Sequence, residues 1–494
     1  MRDSVDVLIC GAGAAGLTLA IDLARRGIAF RLIEKLPSPF QGSRGKGIQP
    51  RSLEVFEDLG LLDRAMATGG AYPPVRKYAA DGSFVDQEMV GADHPPTPAE
   101  PYRLPLMVPQ FLTETLMRER LLELGAVVEF GVELTGLAAT DTGVEATVRS
   151  ERGDEVIRAS YLIGCDGGRS FVRGALGIDF PGKTLGVRAI VADVILEGLS
   201  RDVWHRFDGG DGKHLSICPL AGSDLFQIQG PIPLEGDIDL SAEGLTRRVV
   251  EATGREDIVL RSVSWASAYT MNARLADRYR DGRVFLAGDA AHIHPPTGGQ
   301  GLNTSLQDAY NLGWKLAAVL RGAPGSLLDT YEAERRPIAA GMLGLSTRLL
   351  EGFKKGDNRR GREVQQLDLD YAESPLSFVS DAASHLAPGS RAPDANVRGA
   401  GGGATRLFHL FRGTHWTLLV SGSAPFTPRA GMHIHRIGPG LEFDDHLGQF
   451  TAFYGVPDRA AMLIRPDGYV AGVFAAAQAE ALQAYLDRVL PAGT

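Results

Sequence analysis

The sequence contains few cysteines, no excess of positive charge and no long uninterrupted apolar run. Its 494 residues include three cysteines, Cys10, Cys165 and Cys218, which are widely spaced and each in an apolar setting. So few thiols exclude a disulfide framework and fit a reducing cytoplasm. The formal net charge of -9 offers no electrostatic footprint for nucleic acid or anionic lipid, so neither is an expected partner.

The chain also lacks any window of about 18 consecutive apolar residues, so no membrane span is predicted. An apolar run follows Arg2 as in a signal peptide, but glycines interrupt it at Gly11, Gly13 and Gly16. Because single cores rarely grow beyond roughly 250 to 300 residues, a chain of this length predicts two or three domains.

The first residues that carry chemistry form a strand, a glycine-rich turn and a helix. Val5 to Cys10 is rich in β-forming residues, and the turn GAGAAG runs from Gly11 to Gly16. The next predicted strand ends at Glu34, close to where an acid bonds both hydroxyls of an adenosine ribose. A dinucleotide site is therefore predicted, and the acid favours FAD or NAD over NADP.

A second stretch, RVFLAGDAAHIHPPTGGQGLN from Arg283 to Asn303, reads as a buried strand, a tight loop and the start of a helix. It places Asp289 at the carboxyl end of the strand, where open α/β sheets bind ligands. Glycines in the loop allow bare backbone to approach a flat ligand. The helix is predicted to open near Leu302, so its free N–H groups would stabilise negative charge in the loop.

Two further segments resemble parts of a binding site. The glycine-rich loop from Gly42 to Arg51 carries Arg44, which could pair with a phosphate. The run YLIGCDGGRSFVR from Tyr161 to Arg173 places Asp166 at another strand end, where it borders a cofactor, caps the following helix, or does both. His292 and His294 lie in the first loop, but HxH without further ligands is a poor metal site, so no metal is predicted.

The remaining segments predict how the domains are arranged. Residues 1–180 with 272–345 form the first domain, interrupted by a substrate-side segment at about 70–105. Residues 181–271 alternate β-rich runs and glycine turns, which predicts a mostly antiparallel sheet whose apolar face walls a pocket for a large flat substrate. Residues 346–389 form a helical connection, and 390–494 a small α/β unit. GAGGGA at 399–404 formally matches a nucleotide motif but has no predicted strand before it, so it is taken as a decoy.

Taken together, GAGAAG with Glu34, CDGGRSFVR and AGDAAHIHPPTGGQGLN resemble the class A flavoprotein monooxygenases, the para-hydroxybenzoate hydroxylase-like family, and most closely its aromatic polyketide and phenolic hydroxylase branch. The resemblance covers about residues 1–350. It implies an α/β fold with a Rossmann-like FAD-binding domain, an interleaved antiparallel-sheet substrate domain and a thioredoxin-like C-terminal domain. With no cysteine after Cys218, that last domain could not perform dithiol chemistry.

The resemblance further implies bound FAD, NADPH or NADH as a transient co-substrate, and insertion of one oxygen atom from O2 into a phenolic or polycyclic aromatic substrate through a flavin C4a-hydroperoxide. It allows a homodimer and assigns no catalytic residue. The cofactor-binding residues that it implies are Gly11, Gly13, Ala14, Ala15, Gly16, Glu34, Lys35, Arg44, Gln110, Leu134, Asp166, Asp289, Pro295, Gly298, Gly301, Leu302 and Asn303.

Two alternatives share the same cofactor fold. A flavin-dependent halogenase would also need a WxWxIP stretch, whereas the four tryptophans of this chain stand alone. A non-enzymatic binding protein, such as a prenyl-binding escort, would not need an intact cofactor site, and the presence of Glu34, Asp166 and Asp289 argues against it.

Overall fold

A parallel sheet around the N-terminal strand forms the centre of the first domain. Because Val7, Leu8 and Ile9 are fully buried, this strand is an uninterrupted apolar run, as expected for a strand covered on both faces. The computed structural model describes residues 4–79, 81–88, 95–208, 214–354, 361–380 and 382–490. The strands of this sheet run in the order Arg280–Asp281, Val284–Leu286, Gly153–Gly164, Ser4–Cys10, Phe30–Glu34 and Val128–Phe130, and of these Arg280–Asp281 is antiparallel to its neighbour. Val144–Ser150 pairs antiparallel with Gly153–Gly164, and Glu133–Ala139 pairs antiparallel with Val144–Ser150.

A second, mostly antiparallel sheet of eight strands lies beside the first. Its only parallel pair among the described strands joins Trp204–Asp208 to Val75–Tyr78, so part of the segment at 70–105 contributes to this sheet. The order is His292–Ile293, Val259–Leu275, Gly182–Glu197, Phe226–Ile232, His214–Pro219, Trp204–Asp208, Val75–Tyr78 and Phe84–Gln87. The short strands Gly47–Ile48, Leu106–Met107 and Gly70–Ala71 form a separate small sheet.

The C-terminal unit has the strand arrangement of a thioredoxin-like fold. Trp416–Ser421 pairs in parallel with Met432–Ile437 and antiparallel with Ala460–Ile464, which in turn pairs antiparallel with Val470–Ala475. Three shorter strands, Phe443–Asp444, Asn396–Gly399 and Ala404–Arg406, extend the parallel edge.

The helices flank these sheets, and two of them, Gln300–Leu320 and Asp329–Lys354, are called the two long helices below. Each strand and helix predicted from the N-terminal motifs is present within a few residues. The other helices are Ala14–Arg25, Pro50–Leu59, Leu62–Thr68, Gln110–Glu123, Phe171–Ala175, Ala242–Thr253, Leu407–Phe411, Gln449–Tyr454 and Ala479–Val489, and the 3-10 turns are Gly288–Ala290, Gly325–Leu328, Arg362–Gln365 and Ala476–Gln478.

Some details differ from the predicted boundaries. The strand Val259–Leu275 pairs with Gly182–Glu197 along its whole length, so a boundary at 271 would cut through it. Within 346–389, the second long helix ends at Lys354 and the described residues that follow hold a single 3-10 turn. Residues 80, 89–94, 355–360 and 381, which belong to the predicted substrate-side segment and connection, lie outside the described residues. GAGGGA is a hairpin turn that does follow a strand, so the reason for dismissing it was wrong, although no helix opens from it.

A cluster of buried charges joins the C-terminal unit to the two long helices. Arg465 donates to both carboxylate oxygens of Glu334 at 2.7 and 2.9 Å and to Asp467 Oδ2 at 2.6 Å. Lys315 adds a 2.7 Å contact to Glu334, and Trp314 Nε1 donates to Asp467 Oδ2 at 3.1 Å. The four charged side chains are at most 1% exposed, so every one of them depends on its partners.

We expect Arg465→Met to destabilise the whole chain by about 3 to 5 kcal/mol, because Glu334 and Asp467 would stay buried without their shared partner. Thermal and denaturant unfolding would measure the loss. The exposed Arg398→Met in the same unit is the matched control and should unfold like the wild type. A melting temperature unchanged in Arg465→Met would show that the charge cluster does not hold the C-terminal unit in place.

Candidate functional site

The three glycines of the first turn have three different surroundings. Gly11 has a φ of +101°, and a Cβ there would lie 2.4 Å from the Cys165 carbonyl oxygen. A Cβ on Gly16 would lie 2.0 Å from the Gly11 carbonyl oxygen, so the helix can approach its strand only without a side chain. A Cβ on Gly13 would meet one atom within 4 Å among the described residues, Glu114 Oε1 at 3.9 Å. The turn is therefore closed against protein at Gly11 and Gly16 and open at Gly13.

Glu34 is held against this turn. Its Oε2 accepts a hydrogen bond from the Ala12 N–H at 2.9 Å, and its Oε1 accepts one from the Leu36 N–H at 3.0 Å. The carboxylate is half-buried at the end of its strand, with part of its surface free for a ligand. The next residue, Lys35, is exposed, and Leu134 is buried in a strand of the same sheet.

The remaining residues of the turn, Ala14 and Ala15, are buried in the first helical turn. Their backbone N–H groups belong to a helix N-terminus that no side chain of the described residues caps. Such a terminus carries a partial positive charge and unsatisfied donors, which favour a bound anion.

The second glycine-rich loop lies between the two sheets. The Arg44 N–H donates to Gln110 Oε1 at 3.1 Å, and the Gln110 N–H donates to the Gly45 carbonyl oxygen at 3.0 Å. The guanidinium of Arg44 is exposed and lies 5.7 Å from the centre of the Phe40 ring and 6.0 Å from that of Trp265. Arg44 is thus positioned by backbone and aromatic contacts while its charge remains available.

Asp289 lies in a 3-10 turn directly after its strand, as the strand-end prediction required. Its side chain is exposed, and so is the guanidinium of Arg44, so the two residues offer opposite charges to a ligand.

Asp308, on the first long helix, fixes the turn that carries Asp289. Its Oδ2 accepts from the Gly288 N–H at 3.2 Å and contacts His292 Nε2 at 2.6 Å, and its Oδ1 accepts from Arg335 Nε at 2.8 Å. Burial alone would raise the pKa of Asp308, but the charges of His292 and Arg335 outweigh burial and lower it. His292 is thus a structural partner of Asp308, and burial lowers the pKa of His294 to about 3, so that ring is neutral.

The loop before the first long helix brings backbone groups together. Gly298 and Gly299 both have left-handed backbone, with φ of +85° and +65°, and no side chain in the described part of the chain caps the helix at Gly299. Pro295 is buried, and Leu302 packs 3.7 Å from the position of a Cβ on Gly45.

Asn303 uses its whole side chain within the protein. Its Oδ1 accepts from the Gln49 N–H at 2.8 Å, and its Nδ2 donates to the carbonyl oxygens of Gly47 and Gly299 at 2.9 and 2.8 Å. For the predicted cofactor contact, only the backbone of Asn303 therefore remains available. At Gly301, a Cβ would meet no atom of the described residues within 4 Å, so the space beside this residue is open.

Asp166 caps the short helix that follows it. Its Oδ1 accepts from Ser170 Oγ at 2.6 Å and its Oδ2 from the Val172 N–H at 3.1 Å. Of the two interpretations left open for this residue, capping accounts for both oxygens.

The face of the antiparallel sheet turned toward the second glycine-rich loop is polar. We call it the polar wall and define it by Asp193, Ser216, Gln227, Gln229 and Trp265, which are paired across neighbouring strands or linked by side-chain hydrogen bonds. The predicted apolar face does exist, but the helix Ala242–Thr253 covers it. The expectation that the apolar face walls a pocket is therefore wrong. Apolar and polar residues alternate along a strand in the same way whether a helix or a ligand covers the apolar face.

The polar wall and the second loop are linked by buried hydrogen bonds. Lys46 Nζ donates to Gln227 Oε1 at 2.7 Å, and Gln227 Nε2 donates to Asp193 Oδ1 at 3.2 Å and to the Ser43 carbonyl oxygen. Burial raises the pKa of Asp193 to about 6. A Cβ on Gly42 would lie 2.2 Å from the Trp265 ring, so the loop lies flat on the wall.

These features fit a dinucleotide with a flavin. Gly13 leaves a bare backbone cradle, and Glu34 has a half-buried carboxylate. Arg44 and Asp289 carry exposed opposite charges, and no side chain of the described residues caps the helix at Gly299. Donors for phosphate, acceptors for hydroxyls and bare backbone for a flat ring are therefore all present.

The family follows from comparison with known sequences. The family model for an FAD binding domain matches residues 4–346, and the model for the C-terminal region of aromatic-ring hydroxylases matches residues 385–492. The chain belongs to the FAD-dependent aromatic-ring monooxygenases. Its cofactor is FAD, and NADPH or NADH is the co-substrate of this family.

Relatives along the full length agree with this assignment. The monooxygenase is 43% identical to a flavin-dependent monooxygenase of Mycobacteroides abscessus, over 98% of this chain and 100% of the relative. It is 34% identical to the 12-dehydrotetracycline 5-monooxygenase/anhydrotetracycline 6-monooxygenase of Streptomyces rimosus, with 94% of each chain covered. The crystal structure of aklavinone-11 hydroxylase with FAD and aklavinone superposes with a TM-score of 0.80 at 28% identity, covering 98% of this chain and 99% of the other. The predicted fold class is confirmed.

Several functional residues escaped the sequence analysis. Asp308, Lys46, Gln227, Asp193 and Glu114 are buried and polar, yet they stand in segments whose pattern predicts ordinary helices, loops and strands. For Glu114, one signal existed, since it lies one helical turn after Gln110 and its Oε1 accepts from Gln110 Nε2 at 2.8 Å.

The glycine surroundings predict opposite outcomes for two alanine substitutions. Gly13→Ala should fold with a nearly unchanged melting temperature and bind FAD at least about tenfold more weakly, because the new methyl group fills the open cradle. Gly16→Ala should fold poorly, because its methyl group would overlap the Gly11 carbonyl. Melting curves and FAD titration by fluorescence quenching measure both effects. A Gly13→Ala protein with native FAD affinity would contradict the role of the cradle.

Proposed function

We propose that FAD lies along the surface from Gly13 to Gly299, with its diphosphate at the first turn and its adenosine ribose at Glu34. The observation that carries this proposal is the bare backbone at Gly13 beside a carboxylate already fixed to the Ala12 N–H. Lys35 and Leu134 flank the adenosine side. This placement uses the residues of the N-terminal motif for the phosphates and ribose.

The other half of FAD would follow the second loop. In this proposal, Arg44 and Gln110 meet the ribityl-phosphate region, and Asp289 meets the ribityl hydroxyls or the diphosphate. The exposed opposite charges of Arg44 and Asp289 support this order. Asp166 borders the cofactor through its backbone, since its carboxylate caps a helix.

The flavin ring would lie against the loop of Pro295 and Gly298. Backbone N–H groups at Gly301, Leu302 and Asn303 would then face the ring, and the positive end of the long helix would stabilise negative charge on its pyrimidine edge. FAD itself supplies electron storage and oxygen activation when it is bound. The protein orients the ring, excludes water and holds the second loop.

We propose a polycyclic phenolic or polyketide-like aromatic as the substrate. A half-buried aromatic pair beside the polar wall supports this class, because Trp204 and Tyr72 have ring centres 6.3 Å apart. Trp204 Nε1 donates to the hydroxyl of Ser216, which is paired across the sheet with Gln229. Flat rings would stack on the first pair, and ring oxygens would bond to the second. The named substrates of the Streptomyces rimosus relative and of the aklavinone hydroxylase belong to the same class.

We also propose a cytoplasmic setting. The three cysteines are all among the described residues and all free, which suits a reducing cytoplasm, and a homodimer remains a proposal that light scattering of the purified protein would test. Among the described helices, none is long and apolar enough to cross a membrane.

A panel of phenols and polycyclic aromatics tests the substrate class. The purified yellow protein should oxidise NADPH or NADH slowly by itself and at least about tenfold faster with polycyclic phenols, because a bound ring completes the active site. Gln229→Leu should raise the KM for those substrates and leave FAD content unchanged. If simple aliphatic substrates stimulated oxidation equally, or if Gln229→Leu behaved as the wild type with every aromatic, the proposed substrate wall would be wrong.

A further inference from the structure

Glu114 is an acidic residue at the cradle that the motifs do not reveal. It lies on the helix Gln110–Glu123 with its side chain buried, and its Oε1 is 3.9 Å from the position of a Cβ on Gly13. Its one hydrogen-bond donor among the described residues is Gln110 Nε2, at 2.8 Å. A buried carboxyl thus borders the open part of the first turn.

The two acids beside this turn have different surroundings. Glu34 receives two backbone N–H groups, which stabilise a charged carboxylate. Glu114 receives one neutral amide, that of Gln110, among the described residues. The protein thus gives the Glu34 carboxylate two backbone donors and gives an ionised Glu114 little.

The charges that face Glu114 come from two elements. Burial raises the pKa of Glu114 to about 7, and the negative charge of Glu34 on the neighbouring strand adds to that rise. The Gln110 amide and the positive charge of Arg118, both on its own helix, act in the opposite direction. In the protein without FAD, this carboxyl therefore changes protonation near neutral pH.

We propose that Glu114 is a second acidic residue of the cofactor site, which takes up one proton from solvent when FAD binds. This inference rests on the proposed placement of the diphosphate at Gly13. A diphosphate there would bring negative charge close to Glu114, and a carboxylate would repel it, whereas a neutral carboxyl can donate its O–H to a phosphate oxygen. The proton moves from solvent to a carboxylate oxygen of Glu114, and no bond of FAD breaks or forms.

The pH dependence has a definite sign. FAD binding would raise the pKa of Glu114 further, so proton uptake and FAD binding favour each other. Well below the pKa of about 7, Glu114 is already neutral and FAD affinity is constant. Above it, the Kd for FAD rises by up to about tenfold per pH unit, until the pKa of the FAD-bound state is reached.

The test is an FAD titration of the full-length protein after removal of its flavin, between about pH 6 and about pH 9, where the flavin ring and diphosphate of FAD do not titrate. We expect the wild-type Kd to rise above about pH 7, and calorimetry in two buffers of different ionisation enthalpy to show uptake approaching one proton. Glu114→Gln should bind FAD with little pH dependence, since its amide imitates the neutral acid. Glu119→Gln, an exposed neighbour on the same helix, should keep the wild-type slope.

Each result separates this inference from the placement of FAD. A wild-type Kd that stays constant across this range, without proton uptake, overturns the role of Glu114 even if Glu114→Gln does not fold. A slope that persists unchanged in Glu114→Gln overturns it as well. If Gly13→Ala keeps native FAD affinity at low pH, the diphosphate lies elsewhere and the proposed placement of FAD fails. If Gly13→Ala binds FAD weakly but Glu114→Gln keeps the wild-type pH dependence of the Kd for FAD, only the inference on Glu114 fails.

Discussion

The buried carboxylate of Asp308 is the contact on which the proposed cofactor surface depends. It accepts from the Gly288 backbone, from His292 and from Arg335, so one side chain of the first long helix fixes the turn before the loop of Pro295 and Gly298 and binds the second long helix. A charge with no exposed surface is stable only while all these partners are present. The direction of Asp289 thus follows from a contact far from it in sequence.

The second glycine-rich loop joins this surface to the substrate side. It bonds to Asn303 at the flavin loop, to Gln110 at the cradle and to Gln227 on the polar wall. A displacement of this loop would disturb all three contacts together. The loop is therefore the physical link between the cofactor site and the proposed substrate wall, with the buried Lys46 and Asp193 at its substrate end.

The sequence predicted those parts of the site whose residues are close together along the chain. Gly11, Gly13, Gly16 and Glu34 follow from the constraints of a strand, a tight turn and a helix, and their surroundings in the structure differ as those constraints require. The strand-end position of Asp289 was predictable for the same reason, whereas its exposure was not, because the turn conformation depends on Asp308.

Contacts between distant segments escaped prediction. Glu114 and Asp308 lie in helices, where an acidic residue most often belongs to a solvated face. The strand Asn396–Gly399 holds a glycine and only four residues, so its pairing depends on neighbours supplied by the C-terminal sheet. Likewise, the alternation of apolar and polar residues in the antiparallel sheet does not distinguish an apolar face covered by a helix from one covered by a substrate.

The protein is a monooxygenase that places one atom of O2 on an aromatic ring. Mass spectrometry of the product formed under isotopically heavy oxygen gas tests this activity directly. With a polycyclic phenol and NADPH or NADH, we expect a product heavier by one labelled oxygen atom and the consumption of one nicotinamide per product at full coupling. A product that carries oxygen from water, or substrate returned unchanged while NADPH or NADH is consumed with every aromatic tried, would contradict it.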